Sequence, residues 1–207
     1  AYLAFGFPWR GGFGHNVASL PDEGECFSPC GASAIIRADK MALHGGFDER
    51  FFCYCEDVDL GFRMRLAGER CIFLPKAIVK HAGSGISGRH SDFAVYHGTR
   101  NRLWTYAKNM PWPLLAVTLP VNMVLTVYLL VRSFSGGTTH PMWRGLRDGV
   151  KGLRMIRQPS RWSPQRRIIP LSVLARAMAW NPWRMSRRAP HIREAAALLP
   201  ERATAEA

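Results

Sequence analysis

The chain has 207 residues, 47% of them hydrophobic, and a formal net charge of +13. That length holds one domain plus an appendage, and that hydrophobic fraction excludes wholesale disorder. The charge is uneven: residues 1–131 carry 13 Lys/Arg against 11 Asp/Glu, and residues 132–207 carry 15 against 4, so the basic character belongs to the tail.

In chain order, residues 1–26 are rich in glycine and predict a loop with a short strand. Residues 27–37 predict a strand, and 39–44 a short helix. Residues 45–66 read G-G-F-D-E-R-F-F-C-Y-C-E-D-V-D-L-G-F-R-M-R-L. Here Glu56, Asp57 and Asp59 crowd three acids into four residues, directly after an aromatic run. Val58, Phe62 and Leu66 fall at i, i+4 and i+8, which predicts a helix over 56–68, and Gly68 suits the position just past a helix end. Glu56 and Asp57 then sit in the first turn, where the helix dipole favours negative charge. A carboxylate held there, beside a Phe51-Phe52 wall, is placed to act as a general base; the bland alternative is a pair of capping acids.

Short strands are predicted at 71–74 and 77–81, followed by a Gly- and Ser-rich loop to residue 92. A helix over 92–109 starts at an Asp92-type cap and ends before Pro111. The five cysteines, Cys26, Cys30, Cys53, Cys55 and Cys71, are an odd number, which argues against a disulfide framework. Their spacing is poor for zinc and favours reduced, partly buried thiols of a cytosolic compartment.

Residues 111–131 contain no charged side chain, and about 20 such residues can span a bilayer. Pro120 and Asn122 interrupt the run, so a kinked or re-entrant helix is the alternative to a clean span. Trp104, Trp112, Tyr128 and Arg132 flank it as interfacial anchors. In the tail, Trp143, Leu146, Val150, Leu153 and Ile156 recur at helical spacing, with Arg144, Arg147, Lys151, Arg154 and Arg157 largely off that stripe. This predicts a basic amphipathic helix over 142–157, attracted to an anionic membrane surface. Residues 168–180 with Trp183 predict another interfacial piece, and 187–207 a frayed end.

The run G-G-F-D-E-R-F-F-C-Y-C-E-D-V-D-L-G-F-R-M-R-L-A-G resembles the acceptor-side half of family 2 glycosyltransferases, in particular the rhamnosyltransferase-like branch. S-P-C-G-A-S-A-I-I-R before it, F-L-P-K-A-I-V-K-H after it and R-N-R-L-W at 100–104 resemble the flanking pieces of that half. The resemblance implies an α/β fold: the C-terminal half of a GT-A (Rossmann-like) domain over 1–110, a hydrophobic segment at 111–131 and a basic tail at 132–207. It implies that Asp57 is the catalytic base of an inverting transfer, with Glu56 beside it. Asp59 then shapes the acceptor site, Gly45, Gly46, Phe47, Asp48 and Glu49 form the loop below the donor sugar, and His81 helps hold a divalent metal (Mg or Mn).

The N-terminal half of such enzymes, with its nucleotide-binding region and Asp-x-Asp metal motif, finds no match here. Asp57-Val58-Asp59 has that form, but in a helical setting that matches the base motif. The chain therefore reads as a fragment or one product of a split gene, inactive alone, with a separate N-terminal half as a candidate partner. The other implied partners are a nucleotide-sugar donor and a lipid-linked or surface-glycan acceptor, met at the cytoplasmic face of a membrane. A catalytically inactive scaffold for another glycosyltransferase is the second reading. A basic nucleic-acid-binding module is the third; no nucleic-acid motif supports it, so nucleic acid is not an expected partner.

Overall fold

The computed structural model describes residues 1–80, 91–163 and 167–194. It is mixed α/β, weighted heavily to helix. Strands β1 (Tyr2–Leu3) and β2 (Phe7–Pro8) form one antiparallel pair, and β3 (Gly24–Cys26) and β4 (Cys71–Phe73) another, with Cys26 opposite Cys71. The helices are α1 (Ala38–Leu43), α2 (Glu56–Leu66), α3 (Asp92–Asn109) and α4 (Trp112–Ser133). Further on come α5 (Thr139–Lys151), α6 (Leu153–Arg157), α7 (Leu171–Ala177) and α8 (Pro182–Ser186).

Helix α2 forms where the apolar period places it. Phe62 and Leu66 are buried and Val58 packs against the same core. Its last turn closes at Gly68, whose φ of +88° only glycine adopts without strain. Helix α3 has the predicted bounds, but its cap is Ser91, whose hydroxyl accepts from the Ala94 N–H at 3.2 Å. The main core joins both ends of the chain. Tyr2, Phe27 and Phe62 form an aromatic cluster, with Tyr2 stacked on Phe27 at 4.9 Å and Phe62 edge-on to Phe27 at 5.0 Å. Leu174, Ala177 and Met178 close over it. The Ala4 N–H donates to the Ala179 carbonyl, and Glu25 and Arg193 exchange backbone hydrogen bonds.

Several expectations are corrected. Residues 27–37 are not a strand: Gly31–Ser33 is a single 3₁₀ turn, Pro29 has no N–H to give a ladder, and Ile35 lies fully exposed. Residues 77–80 carry no strand, and residue 81 lies outside the described set. In the segment around 168–180, α7 buries Leu174 and Ala177 in the core, and the large hydrophobic residues Ile168, Trp180 and Trp183 are exposed. Residues 187–194 pack onto the N-terminal loop rather than fraying, through Gly12 N–H to Arg188 O and the Glu25–Arg193 pair.

The basic helix over 142–157 divides at Gly152, where a Cβ would stand 2.5 Å from the Trp104 indole. In α6 the stripe is a contact face, with Ile156 buried against Phe51 and Trp104 and Leu153 packed beside it, but in α5 the face toward α3 is not the stripe. Gly145 and Gly149 press on α3, where a Cβ at 145 would meet the Tyr96 carbonyl at 2.6 Å. Small residues let the two backbones approach, and the Trp104 indole donates to the Gly149 carbonyl at 2.9 Å. Trp143 and Val150 are left facing outward, next to the basic face.

Helix α4 buries one stripe, with Leu115, Thr118, Asn122 and Ser133 inside and Leu125 and Leu129 half-buried. Thr118 is tied to the Tyr106 hydroxyl at 2.7 Å, and the Asn122 amide donates to the Phe5 carbonyl at 2.6 Å. The opposite face exposes Val117, Val121, Val124, Val127 and Val131. The helix is long and apolar enough to cross a membrane, and only 17% of its most apolar window is buried.

Candidate active site

The acids of the 56–59 cluster have three different environments. Asp57 lies at the helix entrance. Its Oδ2 accepts from the Gly31 N–H at 2.7 Å and its Oδ1 from the Val58 N–H at 2.8 Å. The carboxylate is therefore oriented by two backbone donors, and each oxygen keeps a further lone pair. It lines an open cavity of about 420 Å³ whose walls also include Pro29, Gly31, Ile36, Met41 and Phe47. A small ligand or one sugar ring fits a cleft of that order. A Cβ at Gly31 would sit 3.4 Å from the Asp57 Cβ, an ordinary contact.

Glu56 is half-buried, and its Oε2 is enclosed with no hydrogen-bond partner among the described residues. Burial, and then the charge of Asp57, push its carboxyl above the ordinary glutamate value. A carboxyl with that environment in a cleft is a proton-transfer candidate.

Asp59 is fully buried. Its Oδ2 accepts from Arg63 Nε at 2.9 Å and Lys108 Nζ at 2.9 Å, and its Oδ1 from Asn109 Nδ2 at 2.7 Å. Asp48 is buried beside it. It accepts from Arg50 Nε at 2.8 Å, Arg50 Nη2 at 2.7 Å and Lys108 Nζ at 2.7 Å. Burial opposes ionisation of Asp48, but the hydrogen bonds from Arg50 and Lys108 outweigh it and hold the carboxyl below the usual aspartate range. Asp48 and Asp59 thus belong to the frame beneath the cavity. Neither Asp48, expected in the loop below the donor sugar, nor Asp59, expected to shape the acceptor site, is among the residues that line the cavity.

The loop between the frame and the base is strained. Phe52, Tyr54 and Cys55 all have positive φ, at 63°, 69° and 64°. Non-glycine residues in that region cost about 1–3 kcal/mol each and persist only where the surroundings enforce them. The enforcing group is Asn101, fully buried in α3. Its amide nitrogen lies 2.8 Å from the Phe51 carbonyl, 2.6 Å from that of Cys53 and 2.9 Å from that of Tyr54. Arg100 adds a bond to the Phe51 carbonyl at 3.0 Å. The Arg-Asn pair on α3 thereby sets the loop that leads into Glu56 and Asp57, of which Asp57 lines the cavity.

Over 50% of its length the chain is 33% identical to the N-acetylglucosaminyl-diphospho-decaprenol L-rhamnosyltransferase of Mycobacterium tuberculosis, in each of two strains. The match covers 34% of that protein's own length, about a third. Over 22% of its length the chain is 40% identical to rhamnosyltransferase WbbL of Escherichia coli K12, covering 17% of that protein. The chain is a homologue of rhamnosyltransferases. No family model matches, and no solved structure matches.

Among the site residues expected from the sequence, the fold brings Asp57 and Phe47 to one cavity. Gly45 and Gly46 make the turn above it with φ of +72° and +69°, and the Gly46 carbonyl accepts from Arg63 Nη2 at 2.7 Å. Glu49 is exposed and paired with Arg161 at 2.9 Å, away from the cavity walls. His81 lies outside the described residues.

The resemblance to glycosyltransferases implies a divalent metal; among the described residues no three His, Cys, Asp or Glu side chains converge. The oxygens of Asp48 and Asp59 are engaged by cationic and amide nitrogens instead. Lys108, Asn101 and Gly31 are the positions to which the sequence assigned no role. The R-N-R-L-W resemblance marked Asn101, but Lys108 looks like an ordinary solvated lysine near a helix end.

The state of Glu56 has a measurable consequence. A carboxyl whose folded value is raised contributes stability below its unfolded value and loses it as pH rises through the folded value. Glu56→Gln is therefore expected to raise the melting temperature at pH 7. The gain should vanish at about pH 4, near the ordinary glutamate value, where wild-type Glu56 is itself protonated. Equal melting-temperature changes at both pH values would show that the carboxyl is solvated instead.

Proposed function

We propose that this chain forms the acceptor-side part of an inverting glycosyltransferase. It carries a sugar, L-rhamnose by analogy with the relatives, from a nucleotide donor to a lipid-linked or surface-glycan acceptor at the cytoplasmic face of a membrane. The observation that carries the reading is Asp57, fixed by the Gly31 and Val58 N–H groups on the wall of the cavity. In this reading the acceptor hydroxyl lies within about 3 Å of the Asp57 carboxylate, which takes its proton as the oxygen attacks the anomeric carbon. Phe47 and Met41 exclude water from one side. Glu56, whose carboxyl burial pushes above the ordinary glutamate value, orients the acceptor beside Asp57 in this reading. A divalent metal (Mg or Mn) would supply charge neutralisation for the donor's diphosphate, and His81 is the residue of this chain that would help hold it.

The same reading arranges the chain as a C-terminal GT-A half over 1–110 followed by membrane-associated helices. Helix α4 lies in the membrane plane rather than across it. Its buried stripe runs its whole length along the domain, and its valine face is what remains for lipid. Trp143 and Val150 of α5, beside Arg147 and Lys151, extend that face with an amphipathic edge.

Activity is tested with nucleotide-activated L-rhamnose and a polyprenyl-diphosphate-linked N-acetylglucosamine acceptor, and transfer of rhamnose supports the reading. The membrane part is tested by replacing Val117, Val124 and Val131 with serine. The triple variant is expected to leave the membrane fraction for the soluble one. Retention of wild-type partitioning by a folded variant would remove α4 from the membrane contact.

A further inference from the structure

A second cavity of about 420 Å³ opens between α3, α4 and α5. Its walls combine Arg102 and Arg132 with the hydroxyl side chains Thr99, Ser133 and Thr138, while Leu129 and Met142 line its apolar part. Arg102 is 8% exposed, and its Nη1 is buried with no hydrogen-bond partner. Its other contacts are the Thr126 hydroxyl at 3.0 Å and the face of Phe7, 4.1 Å from the guanidinium carbon. Arg132 touches the Tyr128 hydroxyl at 3.3 Å. Among the described residues neither arginine is paired with a carboxylate.

Two guanidinium groups without counter-ions in one cleft are an incomplete arrangement. A buried cation left unpaired is costly, and here the unmet donor belongs to a planar fork suited to phosphate. Burial pushes the Arg102 guanidinium down to about 10, so it stays charged at neutral pH. The cleft also borders α4 through Leu129, Arg132 and Ser133, and basic pockets between membrane-associated helices take phosphate heads of lipids. Gly98, on the same wall, has no atom within 4 Å of where a Cβ would stand, which keeps the cleft open.

We propose that this cleft binds the phosphate head of a membrane lipid, with Arg102 and Arg132 as its ligands and the lipid chain leaving along α4. The proposal rests on the membrane reading of α4 given above. It places a second lipid contact away from Asp57, which lines the other cavity.

The test compares binding of the whole chain to vesicles of phosphatidylcholine and to vesicles that also contain phosphatidic acid, whose head is a bare phosphate. The wild type is expected to bind the second kind about tenfold more tightly, the order set by one charge-assisted hydrogen bond. Arg132→Gln should remove most of that preference. Because Arg102→Gln could disturb the fold, Gly98→Leu serves as a second block. It fills the cleft at a site with open space and replaces a poor helix former. The control is Lys151→Gln with Arg154→Gln, which removes two exposed charges of the basic face.

If the control loses as much preference as Arg132→Gln, the attraction is diffuse and the cleft is not a site. If Gly98→Leu keeps the full preference, the cleft is likewise excluded. If inorganic diphosphate without lipid raises the wild-type melting temperature as strongly as phosphatidic acid vesicles do, and Arg132→Gln abolishes both effects, the ligand is a free phosphate and the lipid assignment falls. Absence of binding to any vesicle is a different outcome. It overturns the membrane reading of α4, and the lipid head with it.

Discussion

Asp57→Asn is expected to lower turnover by about 10²-fold or more, with the Michaelis constant for the acceptor little changed. An amide cannot take the proton of the attacking hydroxyl. Only one of its two terminal atoms can accept, so either the Gly31 N–H or the Val58 N–H loses its partner. That loss costs about 1 kcal/mol and lowers the melting temperature slightly, which a thermal scan separates from the loss of turnover. The discriminating partner is Glu56→Gln. If Glu56 only orients the acceptor, as a protonated acid does, the glutamine keeps a donor there and turnover falls far less than in Asp57→Asn. The reverse order of effects would make Glu56 the base and Asp57 its support. Near wild-type turnover in both would remove the acid pair from the chemistry.

The helices that carry this site were legible because their signals are local. The acid cluster and the Val58, Phe62, Leu66 period mark α2, and the uncharged run marks α4. The frame beneath the site was not legible, because it depends on residues far apart in the chain meeting in space. Asp59 reads as one more acid of the cluster until α3 brings Lys108 and Asn109 to it. Helical spacing does not separate an acid that faces a cavity from one that faces a buried lysine. The same holds for the tail. Its apolar stripe is visible in the period, but the face of α5 toward α3 is made by Gly145 and Gly149, and glycine gives no hydrophobic signal. At 27–37 the Ala-Ile-Ile run resembles a strand, yet among the described residues no strand lies beside it. The strand forms instead at 24–26, where Cys71–Phe73 supplies a partner. The strain at Phe52, Tyr54 and Cys55 is likewise unreadable from residue types that ordinarily avoid positive φ. Only Asn101, on another helix, explains why the loop tolerates it.

The largest stability effect is expected at Lys108. Its ammonium is almost fully buried and lies within 2.9 Å of both Asp48 and Asp59. Burial disfavours its charge, and the two carboxylates oppose that effect. Lys108→Met keeps much of the volume and removes the shared cation. Asp48 then keeps Arg50, and Asp59 keeps Arg63 and Asn109, but two buried carboxylates face one another without the group between them. Breaking a buried pair in this way costs about 3–5 kcal/mol, which denaturant unfolding at pH 7 would detect.

The pH dependence follows from Asp48. Its folded value is depressed, so its contribution is present above the ordinary aspartate value, about 3.9, and is lost as pH falls through the folded value. Without Lys108 that depression shrinks. The stability gap between wild type and variant should therefore be widest near neutrality and narrow on acidification below about pH 4. The damage should also reach the site. Asp48 caps the Glu49–Phe51 turn by accepting from the Arg50 N–H, and the Phe51 carbonyl is one of the three that Asn101 holds. Loosening Asp48 thus loosens the loop that carries Glu56 and Asp57, so turnover should fall in the variant even at temperatures where it remains folded. A stability change under about 1 kcal/mol, with the same gap at pH 7 and pH 4, would mean that Lys108 is solvated and that Asp48 and Asp59 are held by their arginines alone.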